Sequence, residues 1–122
     1  MKDLTDLYLF YKREDIIRQT AAQIIKDFGY FNIEIEFSGK VENAYFELFQ
    51  QLEPSIESLL KGNRQKFMNM LYKIDISETQ LKNATNANKK KSLSNIVCEL
   101  VIKRELQKVV IRNYYSDKKQ LD

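Results

Sequence analysis

Histidine and tryptophan are absent from this 122-residue chain, and glycine (three), proline (one) and cysteine (one) are scarce. Each shortage excludes something. Without histidine there is no Ser-His-Asp triad, no imidazole general base, and almost no route to a zinc or di-iron site. The lone Cys98 cannot close an internal disulfide, so a reducing cytoplasm is the expected compartment. Glycine and proline together fill four positions, too few for the turns of an all-β fold. Apolar runs are short as well. The longest early one, Leu7-Tyr8-Leu9-Phe10-Tyr11, falls far below the ~20 residues that span a bilayer. Lys2, Asp3 and Asp6 also break up any secretory signal.

What is present is 43% apolar and 30% charged residues, in a length that suits one domain with its own core. Ile16, Ile17, Thr20, Ala21, Ile24, Ile25 and Phe28 recur with the 3.6-residue period of an amphipathic helix, which Gly29 should end. From Phe31 to Phe37 the period changes to two, which predicts an extended segment with one buried face. With no second strand in the chain, it should lie along helices as a connector or pair with another copy. A stripe from Val41 to Leu60 then predicts a helix that continues, kinked, through Pro54. Asn63 can cap the next helix, and Ser77-Glu78-Thr79-Gln80 spells a capping box for a short one ending near Ala84. Residues 83–91 read as a loop. The last helix, from Ser92 or Ser94 to Tyr114 or Tyr115, is apolar on two faces, so it should be the central element. The expected architecture is all-α: a compact bundle of about five helices around that C-terminal helix. An N-terminal aromatic arm (1–13) precedes the helical domain (14–115), and a flexible tail (116–122) follows it.

Charge is uneven. Residues 1–60 carry 6 basic and 11 acidic side chains, and residues 61–122 carry 14 and 6. Such asymmetry can mark a polyanion-binding half, two halves that attract each other, or solvated helix faces. Lysines outnumber arginines 15 to 5, which argues against dedicated phosphate recognition.

No catalytic, cofactor or metal site emerges. Glu53 and Glu57 share a helix face, with Glu42 further back, but the Glu-x-x-His pairs of a helical di-metal site are missing. Asp75 and Glu78 better serve the start of a helix, and Cys98 on an apolar face reads as a small buried hydrophobe. Two binding surfaces stand out. Arg104, Lys108 and Arg112 form a ridge at four-residue spacing, with Lys103 beside it and Tyr114 and Tyr115 following. It could track phosphates and stack a base on Tyr115. Residues 63–84 can also be drawn as helix, turn, helix, with Thr79, Gln80, Lys82 and Asn83 exposed on the second helix. For a protein interface the candidates are Tyr8, Phe10, Tyr11, Ile33 and Ile35, where aromatic and apolar residues concentrate.

The blocks Leu71-Tyr72-Lys73-Ile74-Asp75-Ile76-Ser77 and Arg104-Glu105-Leu106-Gln107-Lys108-Val109-Val110-Ile111-Arg112 resemble small helical bacterial proteins without an assigned function. The resemblance spans 16 residues and implies a compact helical domain; it carries no catalytic or binding residue. The resulting expectation is a non-enzymatic cytoplasmic interaction or structural domain, with a homodimer as one form of that association. A nucleic-acid-binding protein using the basic half is the alternative. Neither a small-molecule substrate nor a membrane partner is expected.

Overall fold

The computed structural model describes the backbone of residues 4–121 and the side chains of residues 13–117. Five α-helices follow one another: α1 (Leu4–Gly29), α2 (Ala44–Gly62), α3 (Arg64–Ile74), α4 (Glu78–Ala87) and α5 (Leu93–Leu121). A short 3-10 turn, Val41–Asn43, leads into α2. Among the described residues there is no strand, and the fold is the all-α bundle the periodicity predicts. No helix among them is long and apolar enough to cross a membrane.

The ends of these helices follow local chemistry. The Asn63 side chain accepts from Lys66 N at 3.0 Å and starts α3. Ser77 and Gln80 close a reciprocal capping box at the start of α4, with bonds of 3.1 and 2.9 Å. Between α3 and α4 the chain turns through Asp75, whose φ of 71° is the left-handed conformation usually left to glycine. Its amide and that of Ile76 return to carbonyls of α3, and the buried Ile76 seals the turn. Pro54 removes one rung of α2 but not its phase, so Leu48, Leu52, Ile56 and Leu59 all point into the core.

Three expected boundaries shift, the first being α4, which runs to Ala87, so the loop expected at 83–91 begins only at Asn88. No Gly or Pro interrupts residues 4–28, and α1 is helical from Leu4, so the described part of the arm expected at 1–13 is the start of that helix. Likewise α5 runs on to Leu121 through Lys118 and Lys119, good helix formers whose charge suits a C-terminus, and the tail expected from 116 is helical.

The segment expected to be extended is a connector laid on α2. The Gln51 amide serves both backbone groups of Glu36, accepting from its N–H at 2.9 Å and donating to its carbonyl at 2.8 Å, much as a neighbouring strand would. Glu47 likewise accepts from the Ser38 amide and hydroxyl. Alternation then points Ile33, Ile35 and Phe37 at the core and Glu34 and Glu36 at solvent.

Every other helix touches α5, which is the central element. Its first half carries Val97, Cys98, Val101 and Ile102 into the main core, among Ala21, Ile24 and Phe28 of α1 and the inner faces of α2 and α3. A second, smaller core holds Ile16, Val109 and Val110, with Leu106 against them. Only α1 and α5 contribute to it. Among the described residues, the α1–α5 pair thus continues beyond the main core as far as Ile16 and Asn113.

Candidate functional site

The three-residue ridge exists: Arg104, Lys108 and Arg112 lie along one side of α5. Its donors, however, turn toward the protein. Arg104 reaches the α3 turn, with Nη2 2.8 Å from Asp75 Oδ2 and Nε donating to the Asp75 carbonyl at 3.2 Å. Lys108 Nζ lies 2.6 Å from Glu105 Oε1 and 3.4 Å from Asp27 Oδ2. Arg112 Nη1 donates to Gln23 Oε1 at 3.0 Å. The Arg104 and Lys108 side chains keep only about a quarter of their surface, 24% and 25%. Of the five residues expected to contact nucleic acid, Lys103, Arg112 and Tyr115 are exposed, with Tyr115 edge-on to Tyr114.

The ridge is in fact one wall of a polar seam between α1 and α5. On α1, Gln19, Gln23 and Asp27 recur every four residues and so share one face. Gln19 accepts from Asn113 at 2.7 Å, Gln23 from Arg112, and Asp27 from Gln23 at 3.0 Å and from Lys108. At the inner end of the seam sits Glu105, with no exposed surface, one turn from Val101 and one turn from Val109. Asp27 beside it is 4% exposed.

A buried carboxylate next to another carboxylate opposes ionisation twice over. Burial is the larger effect, and the hydrogen bond and negative charge of Asp27 add to it. Lys108 pulls the other way, and the Glu105 acid is left pushed up to about 8. The geometry agrees: Lys108 approaches Oε1 at 2.6 Å, and no other donor among the described residues reaches either Glu105 oxygen. A neutral Glu105 resolves this, because its own O–H becomes the donor to Asp27. Burial and the neighbouring Asp27 thus favour the protonated form of Glu105. With no exposed surface, Glu105 gives a substrate no approach; the seam fixes how α1 and α5 register.

The other candidate residues fall as follows. Ile35 is in the main core at 4% exposure, which corrects its assignment to a protein interface: the alternation of the connector points it inward. Ile33 is half-buried against the same core. Tyr8, Phe10 and Tyr11 lie on the first turns of α1, where side chains are outside the described residues. Thr79, Gln80, Lys82 and Asn83 are exposed on α4, with Gln80 engaged in the capping box. Glu57 pairs with Lys61 at 2.8 Å and Glu53 accepts from Asn95 at 3.4 Å, while Glu42 stays in the 3-10 turn. Among the described residues no three potential ligands gather for a metal. The Cys98 thiol is buried and pushed up to about 12, by burial first and then by Glu53 and Glu99.

Large apolar side chains stand out at the surface. Tyr72 is 88% exposed, Tyr30 71%, Phe46 64%, Tyr115 58% and Ile111 51%. Tyr30 and Tyr72 line an open hollow of about 510 Å³ with Asn69 and Lys73, whose ammonium sits 4.5 Å above the Tyr30 ring. The sequence contained signals for the seam that its reading passed over: Glu105 falls in phase with Val101 and Val109, and Asp27 with Ile24. A charged residue in phase with an apolar stripe is a buried charge. No protein-family model, curated protein or solved structure matches the chain, so the resemblance to small helical bacterial proteins gains no support.

Proposed function

We propose that this chain is a non-catalytic, cytoplasmic protein-interaction domain. The observation that carries the reading is the contrast between its two kinds of surface. Two of the clustered cations that would track a polyanion, Arg104 and Lys108, are held in ion pairs along the α3–α5 and α1–α5 seams. Aromatic and aliphatic side chains, by contrast, are left in water at Tyr30, Tyr72, Phe46, Ile111 and Tyr115. Tyrosine and phenylalanine bring large contact area with little rotamer entropy, which makes them frequent interface anchors.

The test pairs two measurements on the full chain. Light scattering at micromolar concentration should give a mass above the 14.5 kDa of one copy. Retention on immobilised single- and double-stranded nucleic acid should be absent at low salt. Retention that falls steeply with salt, and disappears in Lys103→Glu/Arg112→Glu, would replace this reading with nucleic-acid binding.

A further inference from the structure

We infer that the connector between α1 and α2 takes an extended peptide of a partner protein as an added strand, along the backbone edge that faces α1. The inference rests on the interaction reading above, but it uses the backbone of the connector rather than the exposed aromatic side chains. The connector has two edges. On one, Gln51 bonds both backbone groups of Glu36 and Glu47 accepts from the Ser38 amide, so this edge is tied to α2. In extended backbone the groups of successive residues point to opposite edges. Those of Ile33, Ile35 and Phe37 therefore turn toward α1. The Ile33 amide is satisfied there by the Phe28 carbonyl at 3.0 Å. Beyond it the pairing stops: among the described residues, the backbone of neither Ile35 nor Phe37 makes a hydrogen bond. The Ile35 side chain lies in the core, while its N–H and C=O face outward along the free edge.

Beside this edge lies an open hollow of about 330 Å³, lined by Ile25 and Gly29 of α1 and by Asn32, Ile33, Glu34 and Ile35 of the connector. Gly29 keeps it open: a Cβ at that position would meet nothing within 4 Å. A donor and an acceptor on one residue, repeated roughly 7 Å further along, are the complement of another extended backbone. Neither proline nor lysine blunts the edge between Phe31 and Phe37. Charge selects the peptide. Glu34 and Glu36 flank Ile35 on the outer face, both exposed and neither in an ion pair among the described residues. A residue paired with Ile35 points down toward Ile25 and Gly29, and its two neighbours point out beside the glutamates. The segment that fits is apolar at that position and basic on either side. A second copy does not fit. Two-fold antiparallel pairing about Ile35 would set Glu34 of each copy opposite Glu36 of the other, where like charges destabilise.

The probe is the capped peptide Lys-Val-Lys-Val-Lys-Val-Lys, titrated into the full-length chain and followed by amide NMR spectra and hydrogen exchange. The expected result is saturable binding that slows exchange of the Ile35 amide at least tenfold, and leaves Glu36, already bonded to Gln51, unchanged. Gly29→Leu should weaken binding at least tenfold by filling the hollow. Its circular dichroism and unfolding midpoint should stay close to wild type, because the added Cβ meets no neighbour and leucine suits a helix. Methylating the valine nitrogens of the peptide removes the strand donors and should weaken binding as much. Glu34→Lys/Glu36→Lys should reverse the preference, toward Glu-Val-Glu-Val-Glu-Val-Glu. Binding indifferent to Gly29→Leu and to methylation would be attraction of charge alone and would overturn the strand edge. So would an absence of binding at about 1 mM peptide. Either result leaves the mass measured by light scattering, and with it the interaction reading, untouched. Peptide binding of the expected kind by a chain that scatters as a monomer would keep the edge and remove self-association.

Discussion

Glu105→Gln isolates the buried acid at the centre of the fold. In the unfolded chain this carboxyl titrates near 4.5; in the folded one, burial and Asp27 hold it at about 8. The folded state therefore binds the proton more tightly, and the sign follows from linkage. Stability from this group is full below the lower value, falls as pH rises between the two, and levels off above the higher one. Between about pH 5 and pH 9 the loss works out at roughly 4 kcal/mol, because each tenfold difference in proton affinity between the folded and unfolded chain is worth ~1.4 kcal/mol. That is a large part of the 5–15 kcal/mol that typically holds a domain together. Glutamine has nearly the same shape, can still donate to Asp27, and does not titrate.

Urea unfolding followed at 222 nm suits a chain without tryptophan, and it should be run on both proteins at several pH values. Near pH 5 the two midpoints should almost coincide. By pH 9 the glutamine chain should be the more stable by several kcal/mol. Other groups also titrate in this window, but they are common to both chains and cancel in the difference. Two curves that stay parallel from pH 5 to pH 9 would refute the buried, protonated Glu105.

Three further outcomes can be read from the same structure. Asp75→Val should lower stability by about 1–2 kcal/mol, because a β-branched residue resists the left-handed turn, while Asp75→Asn should change little; chemical denaturation measures both. Ile35→Ala should cost about 2–4 kcal/mol in the same assay and leave any association constant unchanged, as expected of a core residue. Cys98, buried and with its thiol pushed up to about 12, should resist a colorimetric disulfide reagent at pH 8 and react at once in denaturant.

Much of the architecture was legible because local rules and tertiary packing point the same way. The apolar stripe of Leu48, Leu52, Ile56 and Leu59 survives Pro54, and the capping box at Ser77 forms as written. The two apolar faces of α5 correctly marked it as the centre. Where the reading failed, a residue had two meanings and only its surroundings could choose. Ile35 was apolar in an alternating segment, and alternation alone does not say which side is water. Arg104, Lys108 and Arg112 have the spacing of a phosphate-binding ridge, but the same spacing aligns them with Gln23, Asp27 and Asp75 once α1 and α3 are in place. Glu99 shows the same competition on a small scale: its i+4 neighbour Lys103 is available by sequence, yet Lys91 in the preceding loop takes the contact at 2.8 Å.

The uneven charge of the two halves leads to a final prediction. Five ion pairs form among the described residues, and apart from the local Glu57–Lys61 contact only Lys108–Asp27 joins the acidic half to the basic one. Among the described residues, folding thus neutralises little of the asymmetry. Exposed pairs contribute about 0–1 kcal/mol each, and salt near 1 M shortens their reach to roughly 3 Å. Burial of apolar side chains such as Tyr30, Tyr72 and Ile111 in an interface is insensitive to such screening. The dimer constant, measured by sedimentation in 0.1 and 1 M sodium chloride, should therefore change by less than about threefold. A polyanion held by the basic half would instead be released steeply over the same range. Dissociation of the dimer by salt would show that charge, not apolar packing, holds the two copies, and the exposed aromatic side chains would then be the wrong surface.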